Sequence, residues 1–133
     1  MSKTELGTVI LRVVLGLTFF IHGLDKFQGG ISNTAAYFDS LGIPGFMAYV
    51  VAIIELIGGI AMILGTGTKV IAVLFAVIML GGIFIAKLSI GFLGNGQMIG
   101  YEIDLALLAM SVYFILAEQT KLSIDRMLFN KGE

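Results

Sequence analysis

The stretch RVVLGLTFFIHGLDKF, Arg12–Phe27, constrains this chain more than any other. It is an apolar run of membrane-spanning length, yet it carries a guanidinium near its start and His22, Asp25 and Lys26 at its end. An Arg near the centre of a lipid-crossing helix costs about 2.5–3.5 kcal/mol on insertion scales. Over Leu6–Leu24 there are 12 Leu, Ile, Val and Phe residues. Together they return roughly 4–7 kcal/mol, so the segment inserts despite the charge. Its polar groups then need partners on other helices.

The whole composition agrees. Apolar residues are 58% of the chain, charged residues 13%, and mean hydropathy is +1.03, far from a soluble domain. Length fits one domain at 133 residues, and the lipid bilayer is its first expected partner. A net charge of −1 offers no basic field for nucleic acid. With no cysteine and one histidine, neither iron–sulfur clusters, bis-His haem nor His-cluster metal sites are expected.

Hydropathy places four spans, at about residues 6–24, 46–64, 70–88 and 99–117. The fold expected is all-α, an antiparallel four-helix bundle in the membrane. No small-x-small cleavage site follows the first span, which is expected to be retained. Between the first two spans, Ser32 or Asn33 can cap a short helix through Leu41, Gly42 can end it and Pro44 stops continuation. Tyr37, Phe38 and Leu41 share a face, which predicts a helix lying at the membrane interface. In the second span Ala48, Ala52, Glu55, Gly59 and Met62 fall on one face, so Glu55 points inward.

The glycines of SIGFLGNGQMIG follow no strand and fit no nucleotide fingerprint, so they predict tight or re-entrant backbone and no phosphate site. In the fourth span Glu102 and Asp104 lie on nearly opposite helix faces. Glu102 shares a small-residue face with Ala106, Ala109 and Tyr113, which favours it as the inward carboxylate. Lys3, Lys69, Lys121, Arg126 and Lys131 fall on one side of the membrane, Lys26 and Lys87 on the other. Five against two predicts both termini in the cytoplasm.

The pieces RVVLGLTFFIHGLDKF (Arg12–Phe27), LGIPGFMAYVVAIIELIGGIAMILG (Leu41–Gly65), GYEIDLALL (Gly100–Leu108) and LSID (Leu122–Asp125) together resemble the DoxX family of small four-helix bacterial membrane proteins, in particular its CatD-type members. The resemblance implies an oxidoreductase component tied to quinone or catechol chemistry and to stress resistance. It also implies a partner: relatives are described beside soluble redox enzymes, thiosulfate:quinone oxidoreductase or a ring-cleaving dioxygenase. Relatives often carry His where this chain has Lys87.

The residues themselves leave two readings for each polar group. Arg12 and Glu55 sit about 9 and 13 Å into their spans from opposite faces, which suits either a buried ion pair or a proton-accepting Glu55 tuned by Arg12. His22, Asp25 and Lys26 suit either a solvated helix end or, with Glu102 across the bundle, a catalytic site beside a quinone in which Glu102 or His22 relays protons. His22, Lys26, Lys87 and Tyr101 can donate to a quinone carbonyl. Phe19, Phe20, Phe27 and Phe92 can line its ring or simply pack. No resident electron carrier is expected, so the leading function is a quinone-type oxidoreductase component acting with a partner enzyme. The alternatives are a permeation module for aromatic or quinone-like solutes, built as a homo-oligomer, and a non-catalytic membrane scaffold for a soluble enzyme.

Overall fold

The structure, a computed structural model, describes residues 1–129. Lys131, counted in the charge asymmetry, lies outside the described residues. Six α-helices are present among them: α1 (Lys3–Gln28), α2 (Ile31–Ser40), α3 (Phe46–Leu64), α4 (Thr68–Gly81), α5 (Glu102–Leu116) and α6 (Ile124–Phe129). A π-helical segment, Gly82–Lys87, continues α4 directly. The described residues include no strand, only an isolated bridge between Gly94 and Ile99.

Among the described residues three helices are long and apolar enough to cross a membrane: Lys3–Gln28, Phe46–Leu64 and the continuous Thr68–Lys87. The fourth expected span is shorter than its hydropathy. Its α-helix has 15 residues, about 22 Å at 1.5 Å per residue, against the ~30 Å of a hydrocarbon core. The preceding loop takes the missing length. There Gly91, Gly94 and Gly96 adopt positive φ, and the Tyr101 and Glu102 amides donate to the Gly91 and Phe92 carbonyls. Asn95 Oδ1 accepts from the Gln97 and Met98 amides. Tight backbone was expected here, and a helix cannot start until it is complete.

α1 is longer than hydropathy marks because its ends are polar but capped. Ser2 Oγ accepts from the Glu5 amide at its start, and Lys26 lies in its last turn. α2 forms where a short helix was expected, although Gly30 with φ 92° occupies the cap position and neither Ser32 nor Asn33 caps it. Asn33 Nδ2 instead donates to the Gly29 carbonyl.

α1 packs along α3, α4 along α5, and α3 meets α4. The α1–α3 approach is set by glycine. A Cβ on Gly16 would come within 2.6 Å of the Gly59 carbonyl oxygen, and one on Gly59 equally near that of Gly16. Leu15 and Phe19 of α1, Met62 of α3, Ala72, Phe75 and Met79 of α4, and Leu107 and Phe114 of α5 make one core. Phe19 stacks on Phe75 with ring centroids 3.7 Å apart. The outward faces are apolar too: Ile10, Val14, Leu17 and Ile21 on α1, Ile53, Ile57 and Ile60 on α3, and Val70, Val73 and Val77 on α4 are all exposed. A surface of this kind is compatible with lipid as its solvent.

Candidate functional site

Two polar centres lie inside this apolar shell, at opposite ends of α1. The first joins α1, α3, the π segment and α5. Gly23 brings the last turns of α1 onto α3, where any Cβ would meet the Leu56 amide and the Ala52 carbonyl. That approach lets Lys26 extend to Glu55, and its Nζ lies 2.6 Å from Oε1. Glu55 keeps only 4% of its side-chain surface exposed, while Lys26 keeps 23%. Glu55 is inward-facing as its helical face required, with Ala48, Ala52, Gly59 and Met62 buried beside it.

A second pair stands next to the first. Lys87 Nζ lies 3.0 Å from Asp104 Oδ2 and 3.3 Å from Oδ1, with Asp104 mostly buried and Lys87 half-exposed. Lys87 ends the π segment. A π turn takes one residue more than an α turn, so it re-aims every side chain that follows, here by about 100°. His22 and Asp104 both lie close to Glu55. The cluster is therefore two ammonium–carboxylate pairs, with the exposed His22 at its edge.

Several expectations need correction. Arg12 does not pair with Glu55. It is buried at the other end of α1, where it donates to Thr120 Oγ1 at 2.9 Å and to the Leu122 carbonyl at 2.8 Å. α1 and α3 run antiparallel, with Gly16 beside Gly59 and Gly23 beside Leu56. Arg12 therefore reaches the last turn of α3, and Lys26 takes the place opposite Glu55. Glu102 is exposed; the inward carboxylate is Asp104. The core stripe of α5 is Leu107, Ser111 and Phe114, in line with Asp104, whereas Ala106, Ala109 and Tyr113 face outward. Phe19 is spent in the stack with Phe75 and does not line an open slot. Tyr101 is half-buried, edge-on to the more exposed Phe92 at 5.7 Å.

The second centre is one sequence reasoning missed. After α5 the chain folds back across the end of the helices, and Arg12 holds it there. Asp125 is buried and caps α4: Oδ1 accepts from the Gly67 amide at 2.8 Å and Oδ2 from the Thr68 amide at 2.9 Å. A carboxylate at a helix N-terminus is favoured by both hydrogen bonding and dipole. Lys69 does the complementary thing, donating to the Ile115 and Ala117 carbonyls at the end of α5. The only sequence signal was an Asp following Leu-Ser-Ile, whose partner is 58 residues away.

No group of three or more potential metal ligands occurs among the described residues. The fold and the cluster define a helical membrane protein with ionisable residues turned into its interior. Residues 7–88 match the DoxX family, and the chain belongs to that family. Over its full length it is 44% identical to the Bacillus subtilis (strain 168) protein named "Putative oxidoreductase CatD", covering 95% of that protein. It is also similar to the membrane protein Rv3486 of Mycobacterium tuberculosis, at 29% identity over 95% of this chain and 83% of the relative. The Escherichia coli (strain K12) inner membrane protein YqjF is 32% identical over 57% of this chain and 58% of its own length. No solved structure matches the chain. These relatives and the apolar helices make it a bacterial membrane protein.

Proposed function

We propose that this protein is a membrane oxidoreductase component acting on or through quinone- or catechol-type compounds, together with a partner redox enzyme. The observation that carries the reading is the nearly closed Glu55, paired with Lys26 and flanked by Asp104 and Lys87. Charges this costly in lipid are kept where they bind or move something. Lys26 and Lys87 remain partly open, so each can donate to a quinone carbonyl at the edge of the cluster. Reduction of a quinone takes up protons, which Glu55 and Asp104 can pass inward from His22. The oxidoreductase name of the Bacillus relative supports this class of chemistry. The residues hold no evident electron carrier, which is the reason for placing a redox enzyme beside the chain.

In this reading α1, α3, the α4–π segment and α5 with its folded loop form the four-helix membrane bundle, α2 rests at the interface, and both termini are cytoplasmic. Titration of the purified protein with a short-chain menaquinone or ubiquinone analogue tests it. Binding that weakens at least tenfold in Lys26→Met and Lys87→Met supports the site. Binding of equal strength in wild type and both variants, or none, removes it.

A further inference from the structure

The second polar centre holds a cavity that the redox reading does not use. It measures about 610 Å³ and opens between the first turns of α1, the end of α5 and the returning C-terminal segment. Its walls include Glu5, Thr8, Tyr113, Glu118, Lys121 and Arg126. Leu116, also on the wall, is 77% exposed, so the cavity has an apolar lip as well as a charged one.

The hydrogen bonds sort these groups into donors and acceptors. Thr8 Oγ1 donates to the Thr4 carbonyl at 3.0 Å. Its 2.7 Å contact with Tyr113 Oη is then donated by the tyrosine, which leaves Tyr113 Oη an acceptor towards the cavity. Glu5 and Glu118 are acceptors also. Lys121 and Arg126 are donors, and Arg126 Nη1 donates to the Gln119 carbonyl at 3.3 Å, which holds the guanidinium at the wall. The lining thus carries two carboxylates and two cations around a neutral hydroxyl pair. A second, small void of about 10 Å³ shares Thr8, Gln119 and Thr120 with the large one and is lined by Arg12. Arg12 is 5% exposed, and its Nε has no hydrogen-bond partner among the described residues. A void of that size admits about one water, which gives the floor a buried donor one bridge away.

We propose that this cavity binds the headgroup of a zwitterionic phospholipid bearing a primary amine, its phosphate against Lys121 and Arg126 and its ammonium against Glu118, Glu5 and Tyr113 Oη. An anionic headgroup would leave the two carboxylates facing its charge. A soluble zwitterion would have no use for the apolar lip at Leu116, along which an acyl chain can leave.

Native mass spectrometry of the full chain, released from detergent with added dioleoyl phosphatidylethanolamine or dioleoyl phosphatidylglycerol, reads the preference. The expected result is at least fivefold greater retention of the ethanolamine lipid by wild type. Glu118→Gln is expected to bring the ratio to within twofold of one, and Lys121→Gln to lower retention of both lipids. Both residues are exposed, so neither variant threatens folding, and thermal unfolding checks this. Free phosphoethanolamine is expected to compete weakly and inorganic phosphate not at all. Equal retention of the two lipids, preference for the glycerol lipid, or indifference to both substitutions overturns the proposal; competition by phosphate alone overturns it in favour of a simple anion site.

Discussion

Glu55 and Lys26 are worth more together than the sum of what each contributes alone. Removing the lysine leaves a carboxylate with 4% of its side chain exposed and its ion-pair partner gone. Lys26→Met is therefore expected to destabilise the detergent-solubilised protein by about 3 kcal/mol. Replacing both, as Lys26→Met with Glu55→Leu, is expected to recover most of that loss, because matched apolar residues avoid the desolvation of either charge. Thermal unfolding of the two variants measures both. If the double variant folds as stably as wild type but loses quinone response, the pair serves function. Arg12 has a different task. Its hydrogen bonds to Thr120 and Leu122 hold the C-terminal segment, so Arg12→Met is expected to speed tryptic cleavage after Lys121 by tenfold or more, since two charged hydrogen bonds exceed 1.4 kcal/mol. Cleavage at an unchanged rate would mean that Asp125 alone suffices.

At the scale of elements, the α1–α3 contact rests on the absence of side chains at Gly16 and Gly59. A methyl at Gly59 would meet helix backbone, which has no freedom to yield. Gly59→Ala is expected to separate the helices and to lower the unfolding temperature, and a larger Gly59→Leu to abolish accumulation in the membrane. The Asp125 cap is a contact between the two ends of the chain's second half. Asp125→Ala is expected to cost about 1–2 kcal/mol and to loosen the start of α4, readable as faster amide exchange at Thr68 and the residues after it. The glycine-rich loop was legible as tight backbone because few other residues adopt positive φ. That it shortens α5 was not legible, because hydropathy counts apolar residues whether or not they are helical.

For the molecule as a whole, the sequence contains no cysteine, so single introduced thiols report topology without background. Gln97→Cys, in the exposed loop before α5, is expected to react with a membrane-impermeant maleimide in intact cells. Ser2→Cys is expected to react only after the cells are opened. Labelling of both from outside, or of neither, would refute the four-crossing arrangement with cytoplasmic termini.

Hydropathy along the chain determined the helical class, the three helices of membrane-crossing length and the inward face of α3, because the period of a helix ties burial to position within one element. The identities of the charge partners were decided only by the tertiary structure. Spacing could place Glu55 towards the interior, but whether Arg12 or Lys26 stands opposite depends on how α1 is shifted along α3, and backbone contact at Gly16 and Gly59 sets that shift. In the same way a π turn turns Lys87 towards Asp104, and a returning chain end brings Asp125 to α4. Those are relations between segments, and no single segment contains them.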